Sequence, residues 1–240
     1  MKVQCPGNNF PEATDDWTDS RSKFWSVQIP AQGVMLPGDL EIPESVHGIV
    51  LFAHGSGSSR HSPRNQAVAR SLRHRGMGTM LFDLLTSEEE AEDAVTGHLR
   101  FDIGLLARRL VAATHWVQIH PLGRHLGLGY FGASTGGAAA LVAAASLGSK
   151  IKAVVARGSR TDLAGDKLGF VHSPTLLIVG ECDPTVLEMN CQAYAQLKCQ
   201  KELAVITDAT HLFEEPGALD EVASLAADWF CRHFEAEWVI

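Results

Sequence analysis

The 240-residue sequence has no run of about 18 apolar residues, so no membrane span is expected. Its opening stretch, MKVQCPGNNFPEATDD, lacks the apolar core of a secretory signal, and no leader is expected either. The five cysteines (Cys5, Cys182, Cys191, Cys199, Cys231) are odd in number and include no C-x-x-C, so free thiols in a reducing cytoplasm are expected. There is no H-E-x-x-H, and His115, His120 and His125 have no nearby carboxylate or thiol pattern; no metal is expected. Neither G-x-x-x-x-G-K-[ST] nor G-x-G-x-x-G occurs, which argues against a bound nucleotide, and no cofactor is expected. Concentrated positive charge is missing too. The net charge is −8, and the densest basic group, Arg70 to Arg75, reads as the solvated face and last turn of a helix. Nucleic acids and anionic membranes are therefore poor partners. The oligomeric state is not written in the sequence.

What is present is an alternation of apolar strands and helices. Phe24–Ile29 and Gly33–Ile42 read as two antiparallel strands at a sheet edge. Gly48–Ala53, Gly78–Leu84, Leu126–Phe131, Ile151–Ala156, Thr175–Val179 and Glu202–Ile206 read as buried strands. Helices are expected from Pro63 to about Arg75, after Asp102, over Pro184–Leu197 and from about Gly217 to Phe234. Ser87 to Glu90 reads as a capping box with Ser87 as N-cap. Near-continuous apolar strands between helices mean a mostly parallel sheet covered on both faces, an α/β fold. No repeat or linker divides the chain: residues 1–23 are expected to form an N-terminal arm and 24–240 one domain.

Ligands of such sheets gather at the carboxyl ends of the strands. There, Gly132-Ala133-Ser134-Thr135-Gly136 joins a strand to an Ala-rich helix, the setting of a G-x-S-x-G nucleophile elbow. Its glycines would let strand and helix approach while Ser134 adopts a strained conformation. Asp183, in Gly180-Glu181-Cys182-Asp183-Pro184, ends another strand; as a cap for the helix opened by Pro184 it has an equally good explanation. His211 lies in the loop before the last helix. Serine, acid and histidine in that order, each at a different strand end, make a hydrolytic triad. His211 would take the Ser134 proton, and Asp183 would hold the imidazole in the useful tautomer. The backbone N–H groups of Thr135 and Ser56 are the expected oxyanion donors.

HGSGSSRHSPRN (54–65), LFDLLTSEEE (81–90), GASTGGAAAL (132–141), GECDPTV (180–186) and ATHLFEEPGAL (209–219) resemble the dienelactone-hydrolase-related α/β-hydrolases. The nearest subgroup is the hydrolase domain often found fused to a phosphoribosyltransferase. The resemblance covers about residues 24–236 and implies an eight-stranded sheet with the second strand antiparallel. It also implies a triad matching Ser134, Asp183 and His211. Dienelactone hydrolases proper use a cysteine nucleophile, so Ser134 argues against dienelactone itself as substrate.

The segment between Arg157 and Pro174, where many such hydrolases carry a cap, is too short for a helical lid, and an open site is expected. Gly55, Gly57, Arg60, Leu85 and Phe213 are the expected substrate-binding positions. Arg60 and Arg64 are placed to hold a substrate carboxylate, with solvated or structural roles equally open. The function expected is a serine hydrolase cleaving carboxylic esters, lactones or thioesters through an acyl-enzyme. A non-catalytic binding protein on the same fold and an acyltransferase with the same triad are the rivals.

Overall fold

The computed structural model describes residues 22–121 and 123–234. Strands β1 (Ser22–Ala31), β2 (Val34–Pro43), β3 (Gly48–Ala53), β4 (Met77–Phe82), β5 (Gly127–Ala133), β6 (Ile151–Arg157), β7 (Thr175–Gly180) and β8 (Lys201–Ile206) form one sheet in the order β1-β2-β4-β3-β5-β6-β7-β8. β2 runs antiparallel to both of its neighbours, and the remaining pairs are parallel. The helices are α1 (Pro63–His74), α2 (Ser87–Thr96), α3 (Ile103–Ile119), α4 (Thr135–Leu147), α5 (Pro184–Gln196) and α6 (Ala218–Phe234). This is the α/β-hydrolase sheet that the sequence resemblance implies. β1 begins at Ser22, and the rest of the expected N-terminal arm, with Cys5, lies outside the described residues.

β3, β4 and β7 are buried along their whole length, which is why their sequences are apolar without alternation. One face packs Leu51, Tyr130, Val154 and Leu177 against α3 and α4. The other packs Val50, Phe131, Val155 and Ile178 against Val68 and Leu72 of α1 and Val222, Trp229 and Phe230 of α6. Each fully buried side chain of this size contributes about 1.5–3 kcal/mol as an upper figure.

After β3 the chain crosses to β4 on one side and returns to β5 on the other. That reversal opens a crevice at the carboxyl ends of β3 and β5, where such sheets bind ligands. The β6–β7 connection holds only the 3₁₀ stretch Thr161–Phe170, kinked at Gly165, so no cap domain covers the crevice.

The capping box of α2 is shifted from the expected Ser87/Glu90. Thr86 is the N-cap: its hydroxyl accepts from the Glu89 N–H, and the Glu89 carboxylate accepts from the Thr86 N–H at 2.8 Å. Both patterns read as boxes, but Arg109, buried on α3, takes Glu89 in a two-pronged pair. A long-range ion pair selected the register.

Candidate active site

Ser134 stands between β5 and α4 at φ 52° and ψ −121°, a strained conformation for a residue with a side chain. Its carbonyl receives the Gly137 N–H (3.1 Å), the Arg160 N–H (3.2 Å) and the Ser159 hydroxyl (3.3 Å), and its own N–H donates to the Arg157 carbonyl at 3.1 Å. This clamp holds the turn in place. The crossing is too tight for side chains: a β-carbon on Gly132 would lie 2.5 Å from the Gly137 Cα. One on Gly136 would overlap the carbonyl oxygens of Ala53 and His54 at the end of β3.

Asp183 occupies the N-cap position of α5, yet its side chain makes no capping bond. Its Oδ2 lies 2.6 Å from Nδ1 of His211. The two loops are stitched together by the Glu181 N–H on the Ile206 carbonyl and the Cys182 N–H on the Ala209 carbonyl, both 2.9 Å. Glu181, the nearest rival carboxylate in sequence, accepts from the Asp208 N–H at 3.1 Å. His211 in turn lies against the chain that follows β6: a β-carbon on Gly158 would be 3.4 Å from its Cε1. Since the Arg157 carbonyl bonds the Ser134 N–H, the end of β6 brings serine and histidine to one place. The His211 side chain is 40% exposed and that of Asp183 15%, so the histidine faces solvent while its partner is shielded.

Gly55 packs on Ser134, and a β-carbon there would lie 3.0 Å from the Ser134 Cβ. The Ser56 hydroxyl is 3.1 Å from that of Thr135, so both expected oxyanion donors border the elbow. A narrow cleft of about 10 Å³, room for about one water, is lined by Gly55, Ser56, Gly57, Leu85 and Thr135 among others. Two other expected substrate contacts sit differently. Arg60 pairs with Asp83 and, at 3.4 Å, with Asp39, and its backbone N–H donates to Asp83 at 2.7 Å. Its charge is engaged in bracing the loop. Phe213 is 1% exposed, so its ring is core rather than lining. Arg64, for its part, pairs with Glu214 at 3.0 Å.

Sequence reading did not single out the ring of His54. Buried at 5% exposure, it accepts the Leu84 N–H on Nε2 at 3.0 Å and donates from Nδ1 to the Gly55 carbonyl at 3.0 Å. It thereby ties the loop carrying Gly55 and Ser56 to the segment after β4. Burial pushes its pKa down, against the Gly55 hydrogen bond and the charges of Asp83 and Glu90; burial also lowers those of His120 and His233. A depressed native pKa means full stability above the unfolded value of about 6.5 and loss as pH falls from there, because only the unfolded chain takes up the protons. The melting temperature is therefore expected to fall between pH 7 and pH 5, before carboxylates titrate. A flat profile by differential scanning calorimetry over that window would contradict neutral buried histidines.

No protein-family model matches the chain. A dienelactone hydrolase from Anabaena variabilis shares 55% identity with it and superposes with a TM-score of 0.87, covering 89% of this chain and 99% of that one. The chain belongs to the dienelactone hydrolase family. Curated proteins of two Mycobacterium tuberculosis strains, named as phosphoribosyl transferases, are 53% identical over 221 residues. These residues make up 92% of this chain and 49% of the relatives, so the chain spans about half the length of the curated relatives it matches. A lidless α/β serine hydrolase from Xanthomonas campestris shares the fold at 21% identity and a TM-score of 0.71, covering 93% of this chain and 96% of that one. Among the described residues no group of three His, Cys, Asp or Glu could hold a metal ion, and no helix is long and apolar enough to cross a membrane.

Proposed function

We propose that the protein is a serine hydrolase that cleaves small carboxylic esters, lactones or thioesters by way of an acyl-enzyme on Ser134. The observation that carries this reading is the 2.6 Å Asp183–His211 pair at an N-cap position where the carboxylate forgoes its capping bond. A carboxylate serving only the helix would turn to the free N–H groups of α5. Facing an imidazole instead, it orients the ring and stabilises its protonated form.

In the reaction His211 removes the hydroxyl proton as Ser134 attacks the carbonyl, then returns that proton to the leaving group. The N–H groups of Thr135 and Ser56 receive the negative charge that develops on the oxygen. Water repeats the sequence on the acyl-enzyme and releases the acid. The open crevice suits substrates whose acyl and leaving groups both reach solvent.

A fluorophosphonate probe tests the nucleophile directly. It is expected to add to the wild-type protein once, on the peptide carrying Ser134, and to leave Ser134→Ala unmodified in intact-mass spectra. Modification that persists in Ser134→Ala overturns the assignment. A wild type that never reacts favours a binding protein on this fold.

A further inference from the structure

The narrow cleft beside the elbow lies to one side of Ser134. Ser134 follows β5, which sits between β3 and β6 in the sheet. His211 belongs to the β6 side, where it lies against Gly158. The cleft belongs to the other side: its walls come from the loop after β3, from Leu84 and Leu85 after β4, and from Leu106 of α3, and His211 does not line it. A tetrahedral carbon on Ser134 has three further substituents, and two of them have fixed addresses. The oxyanion faces the N–H groups of Thr135 and Ser56, and the leaving oxygen must face His211 to receive its proton. The acyl substituent is left with the direction of β3 and β4, which is the cleft.

The open crevice admits the ester, but the room for its acyl chain is small. The cleft holds about 10 Å³, enough for one water or one methyl group. Leu84, Leu85 and Leu106 are buried and have little freedom to retreat. The Leu84 N–H is held by His54 at 3.0 Å, and its carbonyl accepts at 2.7 Å from Arg109, the arginine that also grips Glu89. The rest of the wall is charged. Glu90, half-buried in the first turn of α2, lines the cleft, and its carboxylate makes no hydrogen bond or ion pair among the described residues. Arg100, the other charge on the cleft, is taken by Asp93 at 2.5 Å. An alkyl chain laid over Glu90 strips water from a carboxylate and offers no hydrogen bond in return.

Resting on the assignment of Ser134 as nucleophile, we infer that this cleft is the acyl subsite and that the substrate is an ester with an acetyl-sized acyl group, whose alcohol side is free to be long. Leu106 and Glu90 are specificity-determining residues. Leu106 limits the room, and Glu90 bars the way onward to an apolar chain.

Hexyl acetate and ethyl hexanoate provide the test, because they are isomers that differ in which side of the ester carries the long chain. With hydrolysis followed by titration of the released acid, the wild type is expected to favour hexyl acetate at least about thirtyfold in kcat/KM. Leu106→Ala should bring that ratio below about fivefold, since the chain gains room. Glu90→Gln, which keeps the size and removes the charge, should lower it about three- to tenfold. Leu72→Ala, a truncation in the core on the opposite face of the sheet, should lower the melting temperature and leave the ratio where it was, as any merely structural change would. If Leu106→Ala does not fold, Leu106→Val takes its place and should lower the ratio part-way. Should both isomers react too slowly, 4-nitrophenyl acetate against 4-nitrophenyl hexanoate gives the same comparison with a better leaving group. A wild-type ratio near one, or one that favours the hexanoate, overturns the subsite, as does a ratio that the Leu106 and Glu90 variants leave unmoved; each of these results requires turnover and leaves Ser134 in place. A wild type that hydrolyses none of the four esters overturns the Ser134 reading, and the subsite with it.

Discussion

Asp183→Asn is expected to lower ester hydrolysis by on the order of 10²–10⁴-fold in kcat while leaving KM and the melting temperature close to wild type. The stability half of this expectation comes from the helix. Asp183 makes no capping bond to α5, so the exchange removes none, and Asn is as good a residue as Asp at that position. The catalytic half comes from His211. An amide in place of the carboxylate removes the negative charge 2.6 Å from Nδ1 and can present an N–H to the same nitrogen. The imidazole then loses both its tautomer control and the stabilisation of its protonated form. Steady-state kinetics across pH, paired with thermal unfolding, separate the two halves. If Asp183→Asn keeps activity within a few-fold of wild type at every pH, the Asp183–His211 pair is architectural. Glu181, whose Oε2 accepts the Asp208 N–H, is then the next carboxylate to substitute.

Gly136→Ala is expected to destabilise the protein by about 3 kcal/mol or more, lowering the melting temperature by roughly 6–12 °C. The added β-carbon would overlap the carbonyl oxygens of Ala53 and His54. Those are backbone atoms at the end of β3 and cannot rotate away, so α4 or β3 must move. Because the His54 carbonyl leads directly into Gly55 and Ser56, activity should fall with stability. Gly169→Ala is the control: nothing lies within 4 Å of a β-carbon there, and the change should stay within about 1 kcal/mol of wild type. A Gly136→Ala protein melting within two degrees of wild type would show that the elbow is looser than its geometry implies.

The amino-acid sequence by itself determined what local chemistry can determine. Strand and helix identities follow from period and from punctuation: continuous apolar runs such as Gly48–Ala53 are strands because both of their faces are covered, and Pro63, Asp102 and Pro184 open helices because their side chains suit the first turn. The elbow at Ser134 was legible for the same reason, since only small residues permit that turn. The order of serine, acid and histidine was readable because α/β chains deliver loops to one end of the sheet.

Choices between near-equivalent partners belonged to the tertiary structure alone. Asp183 reads equally well as a cap or as the partner of an imidazole, and the loop pairing after β7 and β8 decided which. Thr86 replaced Ser87 as cap because Arg109, 20 residues beyond Glu89, captured that carboxylate. Arg60 was drawn to Asp83 and Asp39, and Phe213 into the core under Arg157, by neighbours that no local pattern encodes. The burial of Arg157, 7% exposed at the end of β6, is likewise invisible in the run IKAVVAR. Each of these outcomes depends on which charges and rings meet after distant segments pack, and ion pairs and burial are properties of that meeting, not of either segment.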